Sequence, residues 1–340
     1  MNSLLEQLCN LNGPSGNEDL VREFILERIK PFAETKVDAL GNIIAFKQGK
    51  KRSPVKLLLD AHMDEVGFII TSITEEGYLR FTTTGGIDPS VFLARRVIIN
   101  NKITGVISTK PIHLQNQDER KKIPQADKMV IDIGAKDKQE AEKYVTCGDY
   151  AVFDSTFQPF GQNLIMSKAI DDRAGCYILM NLLCSESEYD FYATFTVQEE
   201  LGLRGAKTAA FSVRPDSCIV IEATTAADIA GVSEENQVCR LNSGPVISFM
   251  DNSTVYDREY YSQTFKVANE LGIPCQTKSV VAGGNNSGAI SVSASGVRTL
   301  SVSVPCRYLH SPYSVASLTD IKNTQKLISA LIPRIASGKI

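Results

Sequence analysis

Residues 56–70 read KLLLDAHMDEVGFII, and this stretch decides the predicted fold because two structural patterns meet in it. Lys56 to Leu59 form a short apolar strand pattern, and His62 and Asp64 stand where that strand ends. From residue 68 onward, short β-type runs such as GFIITSI, YLRFTTT and MVIDIGA are separated by Gly, Asn and Asp. The stretch therefore predicts an α/β unit that is interrupted by a β-rich insertion.

Helix and strand patterns alternate on both sides of this insertion. The chain opens with an amphipathic helical pattern, and from Ser167 onward helices and strands alternate up to a helix at residues 318–335. Such alternation is typical of a mostly parallel sheet flanked by helices. We predict an α/β fold with a discontinuous large domain, residues 1–67 and 161–340, and an inserted small β-rich, barrel-like domain, residues 68–160. Within the insertion we expect only one helical stretch, near KQEAEKYV.

Composition favours a folded, soluble, cytoplasmic protein. Of its 340 residues 43% are hydrophobic and 22% are charged, and the net charge is -3, so no basic field favours nucleic acid as a partner. The sequence has no apolar run of about 18 residues and no signal-peptide pattern, which disfavours membrane spanning and secretion. Eight scattered cysteines without a CxxC pair favour free, buried thiols in a reducing compartment.

Histidines and acids follow the apolar strand patterns. KLLLD leads into His62, YATFTVQ into Glu199 and Glu200, CIVI into Glu222, and LSVSVP into a segment that ends at His310. In open α/β sheets, ligands bind beyond the carboxyl ends of the strands, so we expect these side chains to converge. His113 lies inside the insertion without acidic companions of this kind, and we interpret it as structural.

Asp171 and Asp172 stand at the start of a predicted helix, where acids commonly cap the first turn. One acid suffices for capping, so the other can bridge two cations, and we favour a ligand role for this pair. His62 and His310 are candidate metal ligands, and Asp64, two residues after His62, can fix the orientation of its imidazole. Histidine and carboxylate ligands suit Zn, Co or Mn.

The two adjacent glutamates need not share a role. In an extended chain Glu199 and Glu200 point to opposite sides, so one can bind metal while the other faces the substrate. A hydrolase with two metal ions requires a bridging carboxylate, further ligands and a nearby base, and these residue types are all present.

Two alternatives remain open at this point. A glycosidase would use Glu199 with another carboxylate and no metal, but two histidines at strand ends and the absence of Trp disfavour it. A non-catalytic scaffold would use the metal only to stabilise the fold, but it has no need of Glu199 and Asp64.

With these residues in place, the chain resembles the glutamyl or deblocking aminopeptidase family, which includes the tetrahedral (TET) aminopeptidases. The resemblance covers nearly the whole length and rests on AHMDEVGF (61–68), KAIDDRAG (168–175), TVQEELGLRGA (196–206) and PCRYLHSP (305–312), with weaker support from GGIDP, KPIHL and IDIGA. It implies the dinuclear zinc peptidase fold, two divalent metal ions per subunit, and hydrolysis of the N-terminal bond of peptides that have a free N-terminus.

The resemblance also implies a role for each site residue. One metal would be bound by His62 and Glu222 and the other by Glu200 and His310, with Asp171 bridging both. Asp64 would orient His62. Glu199 would be the general base that takes a proton from the attacking water and later returns it to the leaving amine. The inserted region would drive dimerisation, and homodimers would build a homododecamer.

Two positions depart from the family pattern. Many members carry Asp after the fourth strand, where this chain has Glu222, so Asp228 is an alternative ligand. The glycine-rich loop reads GGNNSG at residues 283–288, with Asn286 in place of an acid. We expect this second change to bear on substrate preference more than on catalysis. Neither the metal nor the preferred N-terminal residue follows from the sequence.

Overall fold

The structure is a computed structural model that describes residues 2–340. Its α-helices are α1 Asn2–Asn10, α2 Asp19–Ile29, α3 Gln117–Arg120, α4 Lys138–Ala141, α5 Ile170–Cys184, α6 Arg204–Val213, α7 Arg258–Glu270, α8 Ser287–Ile290 and α9 Leu318–Ala336. Its strands are β1 Glu34–Val37, β2 Ile43–Lys47, β3 Leu57–His62, β4 Gly67–Ile73, β5 Leu79–Thr84, β6 Arg96–Ile99, β7 Ile103–Ser108, β8 Val130–Asp132, β9 Tyr150–Phe153, β10 Gln158–Phe160, β11 Leu164–Ser167, β12 Phe191–Thr196, β13 Ser217–Thr225, β14 Val246–Ile247, β15 Gln276–Thr277, β16 Arg298–Arg307 and β17 Ser314–Ser317.

The large sheet has the strand order β1-β2-β12-β3-β13-β16-β17-β11-β10, with β14 and β15 attached beside β16. Its central strands β12, β3, β13 and β16 are parallel, whereas antiparallel strands extend the sheet on both sides. All residues of β3 are buried, as expected of a central parallel strand covered on both faces. The predicted α/β fold is confirmed, with the parallel part confined to the centre of a mixed sheet.

Helices cover both faces of this sheet, and successive residues of β3 show how. Leu57 and Leu59 belong to the main apolar core, which includes buried residues of α5 and α9. Leu58 points the other way, into a smaller core with Ala206 of α6 and Ile290 of α8. Because side chains alternate across a strand, one apolar run supplies both cores. The polar residues that follow the run are thereby held at the rigid edge of the sheet.

The barrel-like insertion is confirmed as a closed barrel of strands β4-β5-β8-β7-β6-β9. Its interior is organised around Phe68, whose ring lies edge-on to those of Phe81, Phe92 and Phe153 at centroid distances of 5.2, 5.4 and 5.2 Å. The barrel strands run from Gly67 to Phe153, and β10 pairs with β11 of the large sheet. The limits 68–160 for a separate domain stay a prediction.

The expectation of one helical stretch in the insertion is wrong. Besides α4, which lies in KQEAEKYV, the short helix α3 begins after Asn116. Asn116 accepts hydrogen bonds from the backbone N–H groups of Asp118 and Glu119, while the Glu119 side chain accepts from the Asn116 N–H. This reciprocal cap stabilises a single turn that has no apolar periodicity. His113 is exposed in a neighbouring 3-10 helix, Ile112–Leu114.

The cysteines are free, as expected from the sequence, but the expected burial does not hold for Cys147, Cys184 and Cys275. All eight are unpaired within residues 2–340, and five are buried, namely Cys9, Cys176, Cys218, Cys239 and Cys306. None of the helices described for residues 2–340 is both long and apolar enough to cross a membrane. The cytoplasmic location stays a prediction.

Candidate metal centre

The carboxyl ends of the parallel strands meet at one edge of the sheet, and a cavity of about 510 Å³ opens there. β3 ends at His62, Glu222 lies in β13, and the segments after β12 and β16 carry the remaining residues. The cavity lining includes six of the predicted site residues, His62, Asp171, Glu199, Glu200, Glu222 and His310. The edge of the sheet thus brings together residues that are far apart in the sequence.

The Asp171 carboxylate lies between the two imidazoles. Its Oδ1 is 3.2 Å from Nε2 of His62, and its Oδ2 is 3.5 Å from Nε2 of His310. The other acids sit to either side, with Glu222 Oε1 3.4 Å from the His62 Nε2 and Glu200 Oε1 3.0 Å from the His310 Nε2. Each imidazole therefore shares Asp171 and has one further acid, which is the pairing that the resemblance implies.

Backbone carbonyls fix the tautomers of both histidines. Nδ1 of His62 lies 3.0 Å from the Asp64 carbonyl oxygen, and Nδ1 of His310 lies 2.6 Å from that of Gly86. A carbonyl oxygen can only accept, so each Nδ1 carries the proton and each Nε2 is directed at the carboxylates. Orientation of His62 was expected from the Asp64 side chain. Its Oδ1 contributes from 3.4 Å, but the carbonyl of the same residue is closer.

Asp64 is fully buried and holds the segment that carries the adjacent glutamates. Its Oδ1 accepts from the Glu199 N–H at 2.9 Å and its Oδ2 from the Glu200 N–H at 3.1 Å, while the Ser15 hydroxyl donates to Oδ2 at 2.5 Å. The chain is not extended at the two glutamates, because β12 ends at Thr196 and both residues lie in the bend and turn that follow it. Both side chains consequently line the same cavity.

Of the two acids at the start of α5, Asp172 caps the helix, as was expected of one of them, and Asp171 faces the cavity. Asp172 Oδ1 accepts from the Gly175 N–H at 2.9 Å, which is the geometry of a helix cap, and its Oδ2 accepts from the His62 N–H at 3.3 Å. The backbone dihedrals of both acids are non-helical, so regular helix begins after them. Asp171 is thereby left free to face the cavity.

Asp228, the alternative to Glu222, is engaged elsewhere. Its two carboxylate oxygens are each 2.7 Å from a nitrogen of the Arg307 guanidinium, a bidentate pair. The Leu241 N–H donates to it as well, at 3.1 Å. Geometry therefore favours Glu222 over Asp228, although the ligand role of Glu222 stays a prediction.

The electrostatics of the cluster indicate an excess of negative charge. Burial raises the pKa values of Glu199 and Glu222 well above the ordinary range, and neighbouring carboxylates raise them further. Burial would lower the pKa of His310, but Asp171 and Glu200 outweigh it and raise that pKa to about 11. Cations are thus strongly favoured in this cavity.

The donor atoms fit divalent metal ions. One ligand atom from each of His62, Asp171 and Glu200 lies within 4.8 Å of the others, and the same holds for His62, Asp172 and Glu222. Imidazole nitrogen with carboxylate oxygen suits Zn, Co or Mn. Asp172 was not among the predicted ligands, because one of the two acids was expected to cap the helix and the resemblance implied Asp171 as the bridge.

Asn286 lies behind the cavity rather than in its lining, so any effect on substrate preference would be indirect, and that expectation stays a prediction. Asn286 is 1% exposed and donates from Nδ2 to Asp60 Oδ2 at 2.7 Å and to Thr196 Oγ1 at 2.8 Å. Its neighbour Asn285 lines the cavity instead. Burial raises the pKa of Asp60 to about 6, while hydrogen bonds from Thr194 and Asn286 oppose that rise.

The α/β sheet has an inserted barrel and, at its carboxyl edge, a cavity lined by carboxylates and histidines, a set of side chains suited to a hydrolase. The model of the M42 glutamyl aminopeptidase family matches residues 41–327, and the chain belongs to this family. It is therefore a peptide hydrolase of the aminopeptidase type.

Individual relatives match this chain over nearly their whole lengths. The chain is 38% identical to a putative aminopeptidase of Acetivibrio thermocellus, covering 96% of this chain and 97% of the relative. It is 30% identical to a lysyl aminopeptidase of Pyrococcus furiosus, covering 98% and 96%. Among solved structures, it is similar to the Pyrococcus horikoshii TET1 peptidase, which can assemble into a tetrahedron or a large octahedral shell, with a TM-score of 0.84 and 36% identity over 96% of this chain and 97% of that one.

Proposed function

We propose that the chain is a metal-dependent aminopeptidase that removes the N-terminal residue from peptides with a free N-terminus. Two divalent ions would be held by His62, Asp171, Glu200, Glu222 and His310. The observation that carries the proposal is the Asp171 carboxylate, whose two oxygens each face the Nε2 of a different imidazole. A carboxylate in that position is suited to bridge two cations.

Two bound ions would supply an acidified water and a polarised scissile carbonyl. Glu199 would supply the proton transfer. Within residues 2–340 its carboxylate makes no ion pair with His62 or His310, yet it lines the same cavity. A carboxylate whose pKa is raised by burial holds a proton well, so Glu199 can take the proton of the water and deliver it to the leaving amine.

Removal of metal tests the proposal directly. Protein stripped with a chelator should lose hydrolysis of aminoacyl-nitroanilides, and added Zn, Co or Mn should restore it with two ions bound per chain. Full activity in metal-free protein would contradict the metal dependence that we propose. Bound metal without hydrolysis of any aminoacyl substrate would favour the scaffold.

A matched pair of variants extends this metal analysis to the fourth strand. Glu222→Gln should lower the number of bound ions, because it removes a carboxylate 3.4 Å from the His62 Nε2. Asp228→Asn should retain both ions, because that acid is bound to Arg307. The reverse result would make Asp228 the ligand.

We also propose that acidic N-terminal residues are preferred. Lys278 lines the cavity, and its ammonium donates to the Ala282 carbonyl oxygen at 2.7 Å, which keeps a positive charge at the wall. Opposite charges that meet in a partly desolvated pocket discriminate strongly between substrates. The family description as glutamyl aminopeptidase agrees with this, whereas the lysyl relative indicates that members differ.

Charge reversal at this wall should change the preference. Lys278→Glu should lower kcat/KM for a glutamyl substrate by roughly tenfold or more and leave a leucyl substrate nearly unchanged, since only the acidic side chain meets the reversed charge. Lys322→Glu, an exposed position on α9, is the control. Equal losses on both substrates would contradict a role in specificity.

Oligomerisation is a further proposal. The TET1 relative assembles into closed shells, and the insertion exposes Ile112 and Leu114 to 70% and 60%. Apolar side chains exposed to that degree are suited to a contact between subunits. We propose that the insertion forms a homodimer contact and that homodimers build a homododecamer, which the native mass in solution tests.

A further inference from the structure

The turn that carries Glu199 and Glu200 is held by side chains from other parts of the chain. Four successive backbone N–H groups donate to side-chain oxygens, namely Val197 to Asn42 Oδ1 at 2.9 Å, Gln198 to Glu18 Oε1 at 3.1 Å, Glu199 to Asp64 Oδ1 at 2.9 Å and Glu200 to Asp64 Oδ2 at 3.1 Å. The resemblance implies a role for Asp64 but none for Glu18. It precedes α2 in the loop GPSGNED.

The turn needs such support because of its backbone conformation. Gln198 has a φ of +54°, in the left-handed region that costs a residue with a side chain roughly 1–2 kcal/mol. No glycine relieves the strain at this position. The hydrogen bond from the Gln198 N–H to Glu18 therefore acts on the residue whose conformation sets the direction of Glu199.

The Glu18 side chain is hydrogen bonded to this turn rather than to its own helix. It occupies the N-cap position of α2, yet its side chain makes no capping hydrogen bond there. Its Oε1 accepts from the Gly16 N–H at 2.7 Å as well as from Gln198, and the residue is only 3% exposed. Burial, with the nearby Asp64 charge, raises its pKa to about 7. A buried acid beside another acid is unfavourable, and the hydrogen bonds that Glu18 accepts from Gly16 and Gln198 offset part of this cost.

We infer that Glu18 is a positioning residue for the proposed general base: by accepting from the Gln198 N–H it fixes the turn that directs Glu199 into the cavity. The inference rests on the proposed role of Glu199. Because one oxygen accepts both N–H groups, a glutamine can replace Glu18, whereas alanine removes the acceptor and aspartate withdraws it by one methylene group.

Steady-state kinetics of the metal-loaded variants test the inference. Glu18→Ala should lower kcat by about 10- to 100-fold with little change in KM, as expected when a catalytic group is misplaced by about 1 Å. Glu18→Gln should stay within about threefold of the wild type, a range too small to reflect lost positioning. Glu18→Asp should fall between them. The control is Glu23→Ala, which changes an exposed glutamate of α2.

A Glu199→Gln background separates positioning from a general loss of structure. There Glu18→Ala should cause no further loss of rate, because the base that it positions is already gone. Three results would overturn the inference: Glu18→Ala with the kcat of the control, Glu18→Gln as impaired as Glu18→Ala, or additive losses in the double variant. If Glu18→Ala does not fold, Glu18→Asp must still be slower than Glu18→Gln. Retained turnover in Glu199→Gln alone would instead refute the proposed role of Glu199 as general base.

Discussion

Glu199→Gln is expected to keep its metal and lose most of its aminopeptidase activity. Glutamine has nearly the same size and keeps the backbone N–H that donates to Asp64, so the turn and the cavity should persist. Its amide cannot hold or deliver a proton. Removal of a general acid–base group typically lowers the rate by about 10²–10⁴-fold, and we expect that range in kcat with little change in KM.

Metal content and kinetics must be measured on the same preparation. Glu142→Gln, an exposed position in the barrel, provides a matched control that should behave as the wild type. Turnover of Glu199→Gln within tenfold of the control would remove Glu199 from the proposed role. Loss of bound metal together with activity would make Glu199 a ligand rather than a base, and Glu200 would then need another role.

Much of the candidate site could be predicted from the sequence because the chemistry stands at the ends of apolar strands. His62 ends β3, Glu222 lies in β13 and His310 follows β16. These central strands are parallel, and parallel strands present their carboxyl ends at one edge. Asp171 could be predicted for a similar reason, since two acids at a helix start are more than a cap requires. The convergence therefore follows from local patterns and one topological rule.

The conformation of the turn after β12 could not be predicted in this way. Gln198 adopts a positive φ, and no glycine or asparagine at this position indicates it in the sequence. Hydrogen bonds between side chains and a distant backbone segment leave no periodic pattern in the sequence. Glu18 contributes no pattern of its own to the sequence, and its acceptor role 180 residues away appears only in three dimensions.

The contact between Asp60 and Asn286 likewise leaves no pattern in the sequence. They are separated by 226 residues and are hydrogen bonded in the interior, with Asp60 fully buried. In the sequence, Asn286 is recognisable only as an amide that replaces an acid in a glycine-rich loop. In the fold, a carboxylate already occupies the position opposite it, and the amide donates to that carboxylate.

Asn286→Asp is therefore expected to destabilise the protein. It would place a second carboxylate where the amide now lies 2.7 Å from Asp60 Oδ2. Two acids this close cannot both ionise, so either a buried repulsion or a forced protonation results. A hydrogen bond to a charged group contributes about 1.5–3 kcal/mol, and because this bond is lost and a repulsion added, we expect a decrease of about 3 kcal/mol in the free energy of unfolding. Urea unfolding followed by circular dichroism measures it.

The exchange variant Asp60→Asn with Asn286→Asp distinguishes this explanation from a general intolerance of aspartate in the loop. In the exchange, the amide would stand on β3 and donate to the carboxylate in the loop, and Thr194 could still donate to the amide oxygen as it now does to Asp60 Oδ1. The exchange should recover at least half of the loss, with a coupling of about 2 kcal/mol across the double-mutant cycle. Additive losses would contradict the pairing.

Recovery would mean that the acid and the amide form one structural unit. The loop would then need no acid of its own at position 286, because Asp60 on β3 supplies the carboxylate of the pair. Because that unit lies behind the cavity, the exchange should also leave the order of preferred substrates unchanged.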